Sequence, residues 1–383
     1  MRLLSIASAS VIGGATFSLL SLLKGLKDKG VDIEVVVPTN GFLCEELSKI
    51  GISYHICKVP FAVLPSHKSI RDFILYFPRL ARSILLNELG YKKLKMLVSN
   101  IKPDIIHTNV SVINVGFRVA RKFEIPHVWH VREYGDKDFD FHHFPSDKLF
   151  RKNLRDKSNA ICITKDIFNY FQLGHHAKII YNGIESSALQ PQASRKENLF
   201  IFAGHLSDGK GTRTIIREFS KFASIDKQGY ILELWGASPE NYTKLLKNEI
   251  LELGMEDKIF LKGETKEIYS VMQKAKAIIV PSRYEGFGRI TAEAMINNCL
   301  VIGRNTAGTK EQFDNGYTLI GHEIAVRFEH DAEIPSCLKA VAQMSDEEYS
   351  AMTSNARKTV LQLYNSKNNI TETFNFFKEL LTK

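Results

Sequence analysis

The chain is expected to be an α/β protein of two lobes, each built on a doubly wound parallel sheet. Three observations predict this. At 383 residues it exceeds what one ordinary core fills, so two domains are the default. Short apolar runs alternate with amphipathic helical segments through both halves, the pattern of parallel sheets with crossover helices. A polar stretch, Glu185–Asn198, carrying Ser186, Ser187, Pro191, Gln192 and Ser194, separates the two series as a linker would.

The bulk properties narrow the class. Hydrophobic residues make up 44% and charged residues 24%, ordinary for a soluble globular protein. The five cysteines (Cys44, Cys57, Cys162, Cys299, Cys337) are scattered, without a C-x-x-C pair, and most sit in apolar segments. That pattern argues against a disulfide framework or zinc site and for a reducing compartment. The apolar opening, Met1–Ala7, runs straight into strand and helix patterns with no cleavage site, and no run of 18 apolar residues follows. The expectation is a cytoplasmic protein.

In chain order, Arg2–Ala7 reads as the first strand. Ser8–Ala15 is a loop containing Gly13-Gly14, and Thr16 is placed to cap a helix running to Lys29. The loop lacks G-x-G-x-x-G spacing, so it is no dinucleotide fingerprint. Ile33–Val37 and Ile52–Ile56 are strands flanking a helix at Phe42–Ile50. Asp104–Thr108 is a strand, Val112–Lys122 a helix, and His127–Val131 a strand that emerges into Arg132-Glu133-Tyr134-Gly135. Asp136-Lys137-Asp138-Phe139-Asp140 then forms a polar loop, and Asn159–Thr164 and Ala177–Ile180 are further strands. In such sheets ligands gather beyond the carboxyl ends of the strands, where His107, Asn109, His130, Arg132 and Glu133 stand.

The second series runs Leu199–Ala203 (strand), Thr212–Ala223 (helix), Tyr230–Trp235 (strand), Tyr242–Leu253 (helix) and Lys258–Leu261 (strand). Glu267–Lys274 is a helix, Ala277–Pro281 a strand, Ile290–Asn297 a helix and Leu300–Gly303 a strand. Two amphipathic helices, Asp346–Tyr364 and Asn369–Leu381, close the chain. Between the Ala277 strand and its helix lies Tyr284-Glu285-Gly286-Phe287-Gly288-Arg289. A strand, a glycine-bearing turn and a helix start present free backbone N–H groups to an anion, above all phosphate. Gly286 and Gly288 let the main chain approach a ligand closely. Glu285 and Glu293, eight residues apart, can accept hydrogen bonds from ribose or sugar hydroxyls.

Pro281-Ser282, Glu285-Gly286-Phe287-Gly288 and Glu293-Ala294-Met295 together resemble the signature of retaining glycosyltransferases of the GT-B fold and GT4 type. The resemblance implies two Rossmann-like domains facing each other across a cleft. The first is 1–183, with the final helix 366–383 crossing back to it, and binds acceptor; the second, 184–365, binds a nucleotide sugar. It also implies that Glu285 positions the donor sugar, Glu293 holds the ribose and His130 contacts the reacting sugar. Gly13 and Gly14 contact donor phosphate or acceptor, the alternative being a tight turn alone. Gly204-His205-Leu206-Ser207-Asp208-Gly209-Lys210-Gly211 matches a loop whose family form carries Gly-Arg-Leu and then Lys-Gly. Lys210 fits, while His205 stands where an arginine is usual. An imidazole cannot reproduce the two-pronged arginine grip on phosphate. Either Arg289 compensates, or Lys210 and main-chain N–H groups hold the diphosphate. Ala307–Glu311 is a weaker match to a further family loop.

Function follows as an expectation: transfer of a sugar from a UDP- or GDP-sugar to a glycan, of the kind built on lipid-linked intermediates of bacterial surface polysaccharide. No cofactor or metal is expected, although the D-x-D spacing after His130 is one that metal-dependent glycosyltransferases of another fold use. A nucleotide-sugar epimerase and a non-catalytic nucleotide-sugar-binding subunit are the alternatives. Of the formal charge of +9, a net +5 falls between Pro65 and Leu97, amid Phe73, Ile74, Phe77 and Leu85. That region suits an anionic membrane surface, or equally a core-packed helix with a solvated basic side. Nucleic acid is not expected, because the basic residues are not interleaved with exposed aromatics.

Overall fold

The computed structural model describes residues 1–11, 13–66, 69–185 and 196–382. Most of the linker and Lys68 of the basic region therefore lie outside the described residues. The chain divides into two compact units, Met1–Gly183 with Ser366–Lys383, and Ile184–Asn365.

The first unit runs β1 (Arg2–Ile6), α1 (Gly14–Asp28), β2 (Asp32–Val37), α2 (Phe42–Lys49), β3 (Ser53–Ile56), α3 (Ile70–Ile74), α4 (Tyr76–Ile101), β4 (Ile105–Thr108), α5 (Val115–Phe123), β5 (His127–Val131), α6 (Asp136–Phe139), α7 (Asp147–Asp156), β6 (Asn159–Cys162), α8 (Lys165–Tyr170) and β7 (Ala177–Ile179). Its sheet has the order β3-β2-β1-β4-β5-β6-β7, with parallel pairs such as Ser5 opposite His107 and His130 opposite Ile161.

The second unit contains β8 (Glu197–Ala203), α9 (Thr212–Ala223), β9 (Ile231–Trp235), α10 (Glu240–Glu252), β10 (Ile259–Gly263), α11 (Ile268–Lys274), β11 (Ala275–Val280), α12 (Arg289–Ile296), β12 (Leu300–Arg304), α13 (Ala307–Ile320), β13 (Val326–Phe328), α14 (Ile334–Gln343) and α15 (Asp346–Leu363). The strand order repeats the first unit's winding, β10-β9-β8-β11-β12-β13. Every residue of β11 is buried, as befits a central parallel strand covered on both faces. The last helix, α16 (Ser366–Leu381), returns to the first unit. It buries Phe376 and Phe377 against the Leu19, Leu23 and Val35 core, each ring worth about 1.5–3 kcal/mol of apolar transfer.

Three local expectations need correction. Thr16 lies inside α1, and its hydroxyl donates to Val11 O, so the helix begins at Gly14 without a side-chain cap. The helix placed at Val112 starts three residues later, because Val112 and Ile113 are core residues leading out of β4. The acidic Asp136–Asp140 segment is a helical turn: Asp138 accepts from the N–H groups of Tyr134 and Gly135 at 3.0 and 2.8 Å. In the Glu285–Gly288 turn, Phe287 is buried, its ring packed edge-on against Tyr364 at 5.4 Å between centroids.

The basic region is split in character. Leu94 and Val98 of α4 enter the core. Ile70, Phe73, Ile74 and Phe77, in α3 and the start of α4, are 68–84% exposed.

Candidate active site

In the second unit the winding reverses between β8 and β11, the place where open α/β sheets bind ligands. The loops that follow these two strands carry Lys210 and Glu285. Lys210 ends a one-turn 3₁₀ segment, and Gly211 after it adopts φ +75°, a left-handed conformation that suits glycine. A Cβ on Gly211 would come within 2.8 Å of the Pro281 ring, so only glycine lets this loop lie against the end of β11. The approach brings Lys210 Nζ to 2.7 Å from Glu285 Oε1 across the switch point.

The Glu285–Gly288 turn is braced from behind. Gly308 N donates to Glu285 O at 2.9 Å. A Cβ on Gly308 would sit 2.7–2.8 Å from Glu285 O, Gly286 O and Phe287 Cα. Gln312 Nε2 donates to the carbonyls of Phe287 and Gly288. Gly288, at φ +75°, caps α12, which starts with Arg289. One turn on, Arg289 NH2 lies 2.8 Å from Glu293 Oε1. Burial raises the Glu293 carboxyl above its usual range, against the pull of Arg289 and of the Tyr269 hydroxyl. Tyr269, second residue of α11, was not singled out from sequence, because no motif marks it.

In the first unit, neighbouring strands carry a buried polar chain. Arg132 NH2 lies 3.3 Å from His130 Nδ1, and since a guanidinium only donates, Nδ1 accepts. His107 Nε2 is 3.2 Å from the same nitrogen and donates to it, leaving His107 Nδ1 to accept from Ser5 Oγ at 3.0 Å. Burial, with Arg132 nearby, keeps His130 neutral, its pKa well below the ordinary value. The ring proton therefore sits on Nε2, which has no partner among the described residues. Arg132 is itself oriented by Asn109 Oδ1 at 3.0 Å and Asn182 Oδ1 at 2.7 Å.

Two family models tile the chain. Glycosyltransferase Family 4 matches residues 12–188, and Glycosyl transferases group 1 matches 185–359. The chain belongs to the group 1, GT4-type glycosyltransferases. An uncharacterised glycosyltransferase of Methanocaldococcus jannaschii is 26% identical over 316 residues, 80% of this chain and 79% of its own. A capsular polysaccharide biosynthesis glycosyltransferase of Staphylococcus aureus, CapH, is 25% identical over 134 residues, 35% and 38% of the two chains. Among solved structures, Anabaena HepE in complex with UDP superposes at TM-score 0.78 with 17% identity, over 99% of this chain and 100% of its own. That likeness establishes the GT-B fold.

In this glycosyltransferase the second unit thus gathers Lys210, Glu285, Gly286, Gly288, Arg289 and Glu293 on two adjacent loops and a helix start. His205 is exposed at the end of β8. Arg289 lies against Glu293, so its guanidinium orients the expected ribose carboxylate. Gly13 and Gly14 stand at the start of α1, where a Cβ on Gly13 would meet nothing within 4 Å. Among the described residues no group of three His, Cys, Asp or Glu is arranged to hold a metal, and no helix is long and apolar enough to cross a membrane.

Glu133, after β5, accepts from Ser111 N and Oγ, both at 2.7 Å. Burial pushes its carboxyl up to about 7; Ser111 and Arg132 oppose this, and Asp138 adds to it. A raised carboxyl pKa stabilises the fold fully below the unfolded value and less as pH climbs through the folded one. Between about pH 4.5 and 8 the wild type should therefore lose about 3 kcal/mol relative to Glu133→Gln, at about 1.36 kcal/mol per pH unit. Melting curves of both proteins across that range check this; parallel curves would remove the buried acid.

Proposed function

We propose that the protein is a retaining hexosyltransferase that moves a sugar from a UDP-sugar, or a GDP-sugar in its place, to a glycan acceptor. The observation that carries this reading is the Lys210–Glu285 juxtaposition at the switch point, beside the glycine turn and the start of α12. Departure of the nucleotide builds negative charge on the diphosphate and positive charge at the anomeric carbon. A fixed cation and helix-start N–H groups stabilise the former, the largest catalytic effect such a site can offer. We assign this to Lys210, Arg289, His205 and the N–H groups of the Gly286–Gly288 turn, without a metal.

Glu293 accepts from the ribose hydroxyls and Glu285 from the donor sugar. Gly13 and Gly14 border phosphate or acceptor. His130 Nε2–H, a buried donor without a partner among the described residues, is assigned to the reacting sugar. The acceptor hydroxyl attacks from the face the nucleotide leaves and passes its proton to the departing phosphate, which retains configuration. HepE was solved with UDP and with UDP-glucose, which favours uracil as the base. CapH acts in capsular polysaccharide biosynthesis, which favours a lipid-linked surface-glycan intermediate as acceptor. Incubation with UDP- and GDP-sugars, with and without such a glycan, tests the reading. A transferase consumes donor only with acceptor; conversion of donor alone would indicate an epimerase, and intact donor in both arms a binding subunit.

We further propose that the protein works at the cytoplasmic face of the plasma membrane. Four large apolar side chains exposed together on α3 and α4, with Arg71, Arg82, Lys92 and Lys93 also exposed, fit an anionic bilayer surface. Each basic residue contributes about 1 kcal/mol near such a surface. Replacing Arg82 and Lys93 with Gln should therefore lower flotation with anionic liposomes by more than tenfold, and salt should do the same. Salt-insensitive or absent flotation of the wild type would retire the membrane role.

A further inference from the structure

The Lys210–Glu285 pair bears on which nucleotides the pocket retains, a point that rests on the nucleotide-sugar reading above. Each partner is held in place: Glu285 by Gly308 and the braced turn, Lys210 by the packing of Gly211 on Pro281. The Glu285 side chain is only 16% exposed, so its charge is poorly screened, whereas Lys210 is 37% exposed and reachable from solvent. Arg289 and Glu293 repeat the arrangement one helical turn away, at 2.8 Å. The site thus sets two carboxylates against two cations, and an arriving diphosphate meets a surface balanced in charge.

Any phosphate that binds Lys210 competes with Glu285 for it and is repelled by the same carboxylate. The outcome depends on what the terminal phosphate carries. In a free nucleoside diphosphate that phosphate bears an extra negative charge and offers Glu285 no donor. In a nucleotide sugar the ester removes that charge and brings hydroxyl groups that donate to a carboxylate released from Lys210. Charge-assisted hydrogen bonds of this kind are among the stronger ones.

We propose that Glu285 is the specificity-determining residue that makes the pocket prefer a sugar-bearing nucleotide to the free nucleoside diphosphate, by contesting Lys210. After transfer, the carboxylate returns to Lys210 and helps displace the diphosphate product. Binding of donor and release of product are then two directions of one exchange of partners.

Calorimetric titration of the wild type and Glu285→Gln with UDP and GDP, and with UDP-glucose and GDP-mannose, tests this. The variant should bind the free diphosphate at least threefold more tightly while its affinity for the matching nucleotide sugar falls. The preference for the sugar ester then drops about tenfold or more. A diphosphate affinity unchanged or weakened in Glu285→Gln would overturn the proposal and leave the nucleotide-sugar reading standing. A wild type that binds none of the four ligands would overturn both. Melting curves check that the variant is folded; Glu285→Asp, which withdraws the carboxylate by one methylene, should shift the diphosphate affinity in the same direction.

Discussion

Lys210→Ala is expected to lower kcat by two to three orders of magnitude while the protein stays folded. Removing one preorganised donor to a developing oxyanion costs about 2.7–4 kcal/mol of transition-state stabilisation. The fold loses far less, because a partly exposed ion pair is worth about 1 kcal/mol or less, and Lys210 is 37% exposed. The substitution also frees Glu285, whose charge then faces the departing diphosphate without a counterion. Steady-state turnover at saturating donor, together with a melting curve, separates the two contributions. A loss below tenfold with unchanged melting would mean that Lys210 does not meet the leaving group.

Glu293→Gln is expected to weaken binding of the nucleotide sugar by about 1–3 kcal/mol, the range for a hydrogen bond to a charged group and for a buried partner left unmatched. Glutamine keeps the size, but one of its terminal atoms is a donor that faces Arg289 and the ribose hydroxyls unfavourably. The Glu293 carboxyl is already held above its ordinary pKa by burial, so its ionised form depends on Arg289, 2.8 Å away. Arg289→Gln should therefore weaken donor binding as well, through the loss of support for Glu293 and of its own assigned contact with the diphosphate. Donor titration of both variants reads this directly, and an unchanged affinity in Glu293→Gln would remove its assigned role.

Much of the architecture was legible because parallel strands covered on both faces must be almost wholly apolar. β11 shows it in Ala275–Val280, and the amphipathic α9 between strands came with both ends at the expected residues. The turn from Glu285 to Gly288 was legible for a different reason: glycine is needed where the chain takes φ +75°. The pairing of that turn with Lys210 was not. It depends on Gly211 touching Pro281 and Gly308 touching Glu285, approaches between segments 70 and 23 residues apart that no local pattern encodes.

The polar chain Ser5–His107–His130 likewise exists only because the parallel register sets Ser5 opposite His107. Composition left the 65–97 region open between core and surface, since both need apolar side chains. Packing divides the region: Leu94 turns inward while Phe73 and Phe77 stay exposed.

The central claim, that the second unit grips a nucleotide sugar through Lys210 and Glu293, is tested most directly by thermal-shift titration against a panel of UDP- and GDP-sugars. A ligand at one hundred times its Kd adds about 2.7 kcal/mol to folding stability. The account predicts a rise in melting temperature with sugars of one base, strongly reduced in Lys210→Ala and in Glu293→Gln. No shift with any nucleotide sugar, or equal shifts in wild type and both variants, would contradict it.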